Sequence, residues 1–372
     1  MKHLLVDISA HGFGHIAQTA PVLNLLAQHR PDLRITVRSH APTEYLKQRI
    51  LVPFEHHHIA LDFGMAMFDA IRVDVPRSLA AYRDYHADWT RKVATEAEVM
   101  RALQPDLLLA NVPYKSLAAA KLEGIPSVAM CCLNWADIYR HYAPEDAGSA
   151  AIHAQMLDAY NSAEVFLKLS PAMPMHDLHN TRELSCVAQT GVARRELLRA
   201  RCGASAQDRL VLVAMGGIHY RLSMEDWPQA AGVRWLVPES WEVRREGVSA
   251  IESLGMDFRD VLASCDAILT KPGYGTFAEA ACAGVPVLYV PRGDWPEAPW
   301  LVEWLQKHGV ATEVAAGNLQ DGQLLSSLKK IWAEPRPPLP GNTGALEVVE
   351  TVCKMLAETD PPVRTDRSNP QS

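Results

Sequence analysis

The chain has 372 residues, 48% of them hydrophobic and 21% charged, which is typical of a globular protein large enough for two domains. Its net charge of −7 argues against a protein that binds nucleic acid through a basic surface. No apolar run is long enough to span a bilayer. The seven scattered cysteines include no Cys-x-x-Cys pair, which predicts reduced thiols and a cytoplasmic location.

Short apolar runs in the first half alternate with longer segments of helical pattern. The predicted strands lie at residues 4–9, 34–39, 107–112, 127–132 and 164–170. Strands that alternate with helices predict a parallel sheet, and unbroken apolar runs predict strands covered on both faces. The first helix is expected from about His15 to Gln28.

The same pattern restarts after a polar stretch near Gly191. Its predicted strands lie at residues 210–215, 233–238, 267–272 and 285–291. We therefore predict an α/β fold of two doubly wound, Rossmann-like domains that face each other across a cleft. The expected segments are an acceptor-side domain at 1–190, a nucleotide-sugar-binding domain at 191–342, a helix at 343–360 that packs back on the first domain, and a disordered tail at 361–372.

The stretch TKPGYGTFAEA places a lysine, two glycines and an acid around the start of a predicted helix. In an open α/β sheet, ligands lie beyond the carboxyl ends of strands, where the free N–H groups of a helix favour phosphate. Gly273 and Gly275 permit close approach of the backbone, and Lys271 adds a positive charge. A structural alternative is a capping box, in which Thr276 caps a helix that begins there and Glu279 reaches back to it.

This stretch resembles the donor-binding segment of GT-B glycosyltransferases of families 1 and 28, which use nucleotide sugars. That segment reads Thr-His/Arg-x-Gly-x-x-Ser/Thr-x-x-Glu, then Gly-Val-Pro, an apolar strand and Pro. This chain has the same order from Thr270 to Pro291, with a lysine at the basic position. The resemblance implies that the ribose is held by Glu279 and the diphosphate by the turn of Lys271, Gly273, Tyr274, Gly275 and Thr276.

Three further segments of the second half share this resemblance. Where plant members have Gly-Asp-Gln-Pro, this chain has GDWPE, which implies that Asp294 and Glu297 contact the donor sugar and leaves the sugar itself open. Gly217 and His219 resemble a Gly-Gly loop near the donor phosphates, although an ordinary glycine turn is the alternative. Phe258 precedes a helix that contacts the base in relatives, although a core aromatic is the alternative.

The first loop, AHGFGH, supports two interpretations. Gly12-x-Gly14-x-x-Ala17 matches a dinucleotide fingerprint, which would indicate an NAD(P) oxidoreductase, but the second strand ends without the acid that would hold an NAD ribose. The loop also resembles the start of the acceptor domain in the same glycosyltransferases. That resemblance implies His15 as general base, His11 as a second candidate, and Gly14 beside the nucleotide sugar; imidazole suits the task because its pKa lies near neutral pH.

The first loop and the Lys-Pro-Gly-Tyr-Gly turn are also similar to the N-terminal part of proteins related to L-arabinokinase, over about residues 3–357. This chain is too short to include the sugar-kinase domain of those proteins. We therefore expect a glycosyltransferase that moves a sugar from a UDP-sugar to a hydroxyl, with inversion and without a metal or further cofactor. A nucleotide-sugar hydrolase or epimerase and a non-catalytic nucleotide-sugar sensor remain alternatives.

Overall fold

Two parallel β-sheets, each covered by helices, build the chain. The computed structural model describes residues 1–217, 220–227, 230–315, 317, 319 and 323–358. The first sheet has seven strands in the order β3-β2-β1-β4-β5-β6-β7, and the second has six in the order β10-β9-β8-β11-β12-β13. Every strand pair within these sheets is parallel. The prediction of two doubly wound α/β domains is therefore confirmed.

The elements of the first half are, in chain order, β1 (His3–Ile8), α1 (Gly14–His29), β2 (Arg34–Ser39), α2 (Thr43–Arg49), β3 (Glu55–His58), α3 (Val75–His86), α4 (Trp89–Leu103), β4 (Leu107–Asn111), α5 (Tyr114–Glu123), β5 (Ser127–Cys131), α6 (Trp135–Tyr142), α7 (Ala147–Tyr160), β6 (Val165–Leu169) and β7 (Thr181–Leu184).

The elements of the second half are α8 (Arg195–Cys202), β8 (Arg209–Val213), β9 (Val233–Val237), β10 (Val248–Ala250), α9 (Phe258–Ser264), β11 (Ala267–Thr270), α10 (Tyr274–Cys282), β12 (Val287–Tyr289), α11 (Ala298–His308), β13 (Ala311–Glu313), α12 (Gln323–Ala333) and α13 (Gly344–Glu358), with single turns of 3₁₀-helix at Met224–Asp226, Glu239–Trp241 and Glu252–Leu254.

The strand orders locate the ligand-binding edge of each sheet. In the first sheet the order reverses between β1 and β4, and in the second it reverses between β8 and β11. Loops that follow such neighbouring strands diverge and leave a crevice at their carboxyl ends. The glycine loop after β1 and the Lys-Pro-Gly-Tyr-Gly turn after β11 therefore both lie at a switch point.

The last helix returns to the first half of the chain. α13 packs against α1 and β7. The backbone N–H of Gly344 donates to the carbonyl of Cys186 at 3.1 Å, and Arg182 on β7 hydrogen-bonds to Thr351. Residues 361–372, expected to be disordered, and His219 lie outside the described residues. Within the described part of the chain, every helix is too short or too polar to cross a membrane.

Candidate active site

The two switch points meet face to face. A Cβ atom on Gly217 would lie 2.7 Å from the ring of Phe13, and one on Gly275 would lie 2.8 Å from the Cβ atom of Ala17. Both distances are shorter than real Cβ contacts, so only glycine allows this approach of the two domains. Gly14 starts α1 immediately behind this contact.

Helix α10 begins two residues earlier than the sequence indicated, at Tyr274 rather than Thr276. Its N-cap is Gly273, no side chain caps it, and the capping box considered as the structural alternative is not formed. The N–H groups of Tyr274, Gly275 and Thr276 therefore belong to the first turn, where no helical carbonyl is available to them. This arrangement favours an anion at the turn.

Lys271 projects its ammonium into the space beside this turn. Its Nζ atom lies 3.7 Å from the Cβ position of Gly216, which has a φ of +80°, and 3.6 Å from that of Gly273. Among the described residues, no group forms a hydrogen bond or ion pair with the ammonium. Burial, followed by the charge of Arg292, lowers the pKa of Lys271 to about 7. A bound anion would reverse this shift by favouring the charged form.

Arg292 lies near Lys271 and was not identified from the sequence. It follows β12 at the same carboxyl edge of the sheet, and only 5% of the residue is exposed. Its guanidinium lies over the ring of Trp295 at 3.8 Å from the centroid, and its buried Nε and Nη2 atoms have no hydrogen-bond partner in the part of the chain that the structure describes. Its place beyond a strand end was a usable signal, because ligand-binding residues concentrate there.

Glu279, the expected ribose ligand, is occupied by the other domain. Its buried carboxylate pairs with the guanidinium of Arg49, the last residue of α2. Burial raises the pKa of Glu279, while the charge of Arg49 opposes that rise. A ribose can reach the carboxylate only if this ion pair opens.

The remaining predicted donor residues have different surroundings. Tyr274 is buried, and its hydroxyl donates to the carbonyl of Ser170 at 3.0 Å and accepts from the N–H of Val187 at 2.9 Å. Its side chain therefore joins the two domains, and its first-turn N–H is the group left for a ligand. Phe258 starts α9 and is half-buried against the core, and Asp294 is exposed beside the hydroxyl of Tyr142 at 3.5 Å.

His15 lies on the first turn of α1, with 5% of the residue exposed. Its Nδ1 atom is 2.8 Å from Oδ1 of Asn111 and 3.6 Å from Sγ of Cys131. Burial alone would lower the pKa of His15, but the Cys131 thiolate and the hydrogen bonds raise it to about 9. Burial opposes ionisation of Cys131, yet the neighbouring Cys132 and the charge of His15 lower its pKa to about 6. The two groups therefore favour an imidazolium–thiolate pair.

A chain of hydrogen bonds runs from this pair to the second domain. The amide nitrogen of Asn111 donates to Oε1 of Gln18 at 3.0 Å, and the amide nitrogen of Gln18 donates to Sγ of Cys132 at 2.8 Å. Cys132 donates to Oε1 of Glu297 at 2.9 Å, and the other oxygen of Glu297 accepts from the Trp295 indole at 3.0 Å. Both carboxylate oxygens of Glu297, which was predicted to contact the donor sugar, thus accept hydrogen bonds from protein groups.

His11 lies against the same indole from the first domain. Its ring stacks on Trp295 with centroids 5.7 Å apart, meets the edge of Trp135 at 5.1 Å, and leaves Nε2 buried without a partner. Burial and then the charge of Arg292 hold the pKa of His11 well below its ordinary value. His11 is therefore neutral near pH 7, and its position relative to Trp295 places it at the interface between the domains.

The dinucleotide interpretation loses its remaining support in the structure. Arg38, which could have bound a 2′-phosphate of NADP, is buried and holds Asp7 through two bonds of 2.7 and 2.5 Å. Its third bond, of 2.6 Å, goes to Glu96. The guanidinium is committed to these carboxylates and faces no cofactor site.

Within the described residues, Asp137, His153 and Asp177 form a group whose candidate metal-ligating atoms lie within 4.8 Å of one another. Asp137 lies on α6 and His153 on α7. The Arg140 guanidinium already pairs with Asp177 at 2.9 Å, and the Asn134 amide donates to Asp137 at 3.0 Å. Both carboxylates therefore already have protein partners.

No protein-family model matches the chain. L-arabinokinase of Arabidopsis thaliana is 25% identical over 336 residues, which are 88% of this chain and 32% of that protein. The chain thus spans about a third of this relative's length. Among solved structures, the kitacinnamycin glycosyltransferase matches with a TM-score of 0.60 and 14% identity over 96% of this chain and 95% of its own.

Two other solved structures add detail to the comparison. Glycosyltransferase VinC in complex with dTDP has a TM-score of 0.59 and 17% identity over 96% of this chain and 99% of its own. A putative UDP-N-acetylglucosamine 2-epimerase from Listeria monocytogenes has a TM-score of 0.56 and 14% identity over 97% and 98%. The chain therefore has the two-domain GT-B fold of these glycosyltransferases, and its sequence resembles the part of L-arabinokinase that it matches.

Proposed function

We propose that the protein is a glycosyltransferase that moves a sugar from a nucleoside-diphosphate sugar to an acceptor hydroxyl. The observation that carries the proposal is the ammonium of Lys271, which has no hydrogen-bond or ion-pair partner among the described residues and lies between the turns of Gly216 and Gly273 at the start of α10. A cation beside free backbone N–H groups is suited to a diphosphate. The dTDP in the VinC complex supports a nucleotide as the ligand of this fold.

The second domain would stabilise the leaving group. Negative charge grows on the diphosphate as the sugar departs, and Lys271 with the first-turn N–H groups of α10 is fixed in place to stabilise it. Because a nearby anion favours the protonated amine, donor binding raises the pKa of Lys271 from its low value in the free protein. We propose that this cationic turn acts without a metal and that no cofactor is needed besides the donor.

The first domain would activate the acceptor. Asn111 and the Cys131 thiolate both accept from Nδ1–H of His15, so Nε2 is the nitrogen that can take the proton of the acceptor hydroxyl. His15 belongs to the opposite domain from the proposed diphosphate turn. An acceptor held on that side attacks opposite the leaving group, which inverts the anomeric centre.

A hydrolase or epimerase on the same scaffold is the second candidate. The specific observation in its favour is that UDP-N-acetylglucosamine 2-epimerases are among the solved structures with this fold, at TM-scores of 0.56 and 0.54. In such an enzyme the proposed donor turn would serve the same nucleotide. Water, or the base alone, would then replace the acceptor hydroxyl.

Calorimetric titration with UDP, dTDP and GDP, and then with their sugars, tests the binding step. The expected result is saturable binding of a nucleoside diphosphate that is lost in Lys271→Ala and kept in Lys307→Ala, a control on α11. Mass analysis after incubation with the bound nucleotide sugar and an acceptor mixture then separates transfer, hydrolysis and epimerisation. If no nucleoside diphosphate binds, the proposal is wrong.

A further inference from the structure

The side chain of Arg292 has the features of an anion-binding group. Its residue is 5% exposed, and the Nε and Nη2 atoms are buried without a hydrogen-bond partner. These atoms share one edge of the guanidinium, and their N–H bonds point in parallel, so they match the two oxygens of a carboxylate or a phosphate. A buried charge with unsatisfied donors is costly, and its presence calls for a partner.

The same molecule shows how this edge is normally used. Buried Arg38 holds both oxygens of Asp7 through its Nε and Nη2 atoms, at 2.7 and 2.5 Å. Exposed Arg101 holds both oxygens of Glu123 through the same two atoms, at 2.9 and 2.6 Å. At Arg292 the equivalent edge has no carboxylate among the described residues.

The acid Glu297, whose charge acts on Arg292, does not hydrogen-bond to this edge of the guanidinium. Glu297 uses one oxygen for the Cys132 thiol and the other for the Trp295 indole, at 2.9 and 3.0 Å. Lys271 adds a second cation. It lies close enough to Arg292 for the charge of that guanidinium to lower the pKa of Lys271. Lys271 and Arg292 therefore carry two positive charges near one carboxylate that is already hydrogen-bonded, so the region has an excess of positive charge.

His11 extends the unsatisfied region into the first domain. Its ring stacks on the Trp295 indole that also carries the Arg292 guanidinium, and its Nε2 atom is likewise buried without a partner. The unsatisfied nitrogens of Arg292 and His11 thus flank one aromatic ring between the domains. Because these atoms are sealed by protein contacts, an anion reaches them only when His11 and Trp295 move apart.

We propose that the Nε–Nη2 edge of Arg292, with His11 beside it, is a bidentate oxyanion site for the donor, additional to the turn at Lys271. This inference rests on the proposed function. The oxyanion is either the terminal phosphate of the nucleotide or a carboxylate on the donor sugar, and both offer two oxygens to one guanidinium edge. Charge balance favours the phosphate, because a diphosphate alone more than offsets Lys271, Arg292 and Glu297 together.

Titration calorimetry with uridine, UDP, UDP-glucose and UDP-glucuronate tests the site in wild type, Arg292→Gln and Arg292→Lys. If the terminal phosphate is bound, both variants lose at least tenfold affinity for UDP and both sugars but not for uridine. If a sugar carboxylate is bound, the loss is confined to UDP-glucuronate. Lysine restores the charge but not the paired N–H groups, so it should not rescue either loss. Arg209→Gln, at the amino end of the same sheet, controls for the removal of an arginine.

Thermal unfolding of the free protein gives an independent readout. Removing an uncompensated buried charge should leave the Tm of Arg292→Gln equal to or above that of wild type, whereas loss of a purely structural arginine should lower it. Unchanged affinities with a lowered Tm would overturn the oxyanion site, and the loss of UDP binding in Lys271→Ala would still support the proposed function. If wild type binds no nucleotide of any base, the proposed function and this inference both fail.

Discussion

The pairing of His15 with Cys131 predicts an unusual pH dependence. The proposed base acts only when its imidazole is neutral; burial alone would lower the pKa of His15, but Cys131, with smaller contributions from Asn111 and Asp62, raises it from 6.5 to about 9. At pH 7 only about 1% of His15 would then be neutral, and the rate should rise about tenfold per pH unit up to pH 9. Each pKa unit corresponds to about 1.4 kcal/mol, so the pair favours the imidazolium by about 3 kcal/mol.

Cys131→Ser removes the thiolate while keeping a small hydrogen-bonding side chain. Burial then remains as the main influence, and it lowers the pKa of His15. Because a lower pKa leaves more of His15 neutral, the acid limb of the pH–rate profile should move down by about two pH units or more, and the rate at pH 7 should rise. Cys265→Ser, which changes a buried cysteine in the second domain, should leave the profile unchanged.

NMR titration of the His15 ring, with its signals assigned by their absence in His15→Gln, measures this pKa without any substrate. The expected midpoint is near 9 in wild type and at or below 6.5 in Cys131→Ser. The same midpoint in both proteins would show that the thiolate does not charge the imidazole. The pKa of His15 would then be set by groups other than Cys131.

Three further outcomes are expected. Lys271→Ala should weaken binding of UDP far more than binding of uridine, and equal losses for both ligands in calorimetry would count against a phosphate site. Because the pKa of Lys271 in the free protein is about 7, the affinity of wild type for UDP should fall as pH rises from 7 to 9. Glu279→Gln should weaken UDP binding. Arg49→Ala should lower the Tm by leaving a buried carboxylate unpaired, but it should keep or strengthen UDP affinity because the carboxylate is then open to the ribose; a loss of UDP affinity in both variants would mean that the ion pair only joins the domains. His15→Ala should bind donor within about twofold of wild type and lose turnover by about a hundredfold or more, with a smaller loss for His11→Ala; normal turnover of His15→Ala would exclude it as the base.

The fold was predictable because its central strands carry a strong local signal. The strand at Arg34–Ser39 was predicted with its observed ends, and β4 and β5 to within one residue. The edge strands were missed because they are short and lack an unbroken apolar run, as in Glu55–His58, which reads EHHH. The start of α10 was placed two residues late because Gly-Tyr-Gly is typical of a turn, yet here it opens the helix.

The partners of the site residues were not predictable, because each pair is distant in sequence. Glu279 meets Arg49 across 230 positions, and His15 meets Cys131 across 116. Sequence motifs identify the groups that a loop presents, but the contacts that set their charge come from the packing of two domains. That packing raises the pKa of His15, lowers the pKa of Lys271 and pairs Glu279 with Arg49.

The hydrogen-bond chain between the domains also fixes its own direction. The indole of Trp295 can only donate, and the two oxygens of Glu297 accept from this indole and from the thiol of Cys132, which in turn accepts from Gln18. The Gln18 carbonyl oxygen is then left to accept from the amide of Asn111, whose own oxygen accepts from the ring of His15. Since this direction satisfies every member, neutral His15 carries its proton on Nδ1, and Nε2 is the nitrogen without a proton. The state of the proposed base therefore depends on a carboxylate that belongs to the second domain, and the dependence holds only while the two domains are in contact.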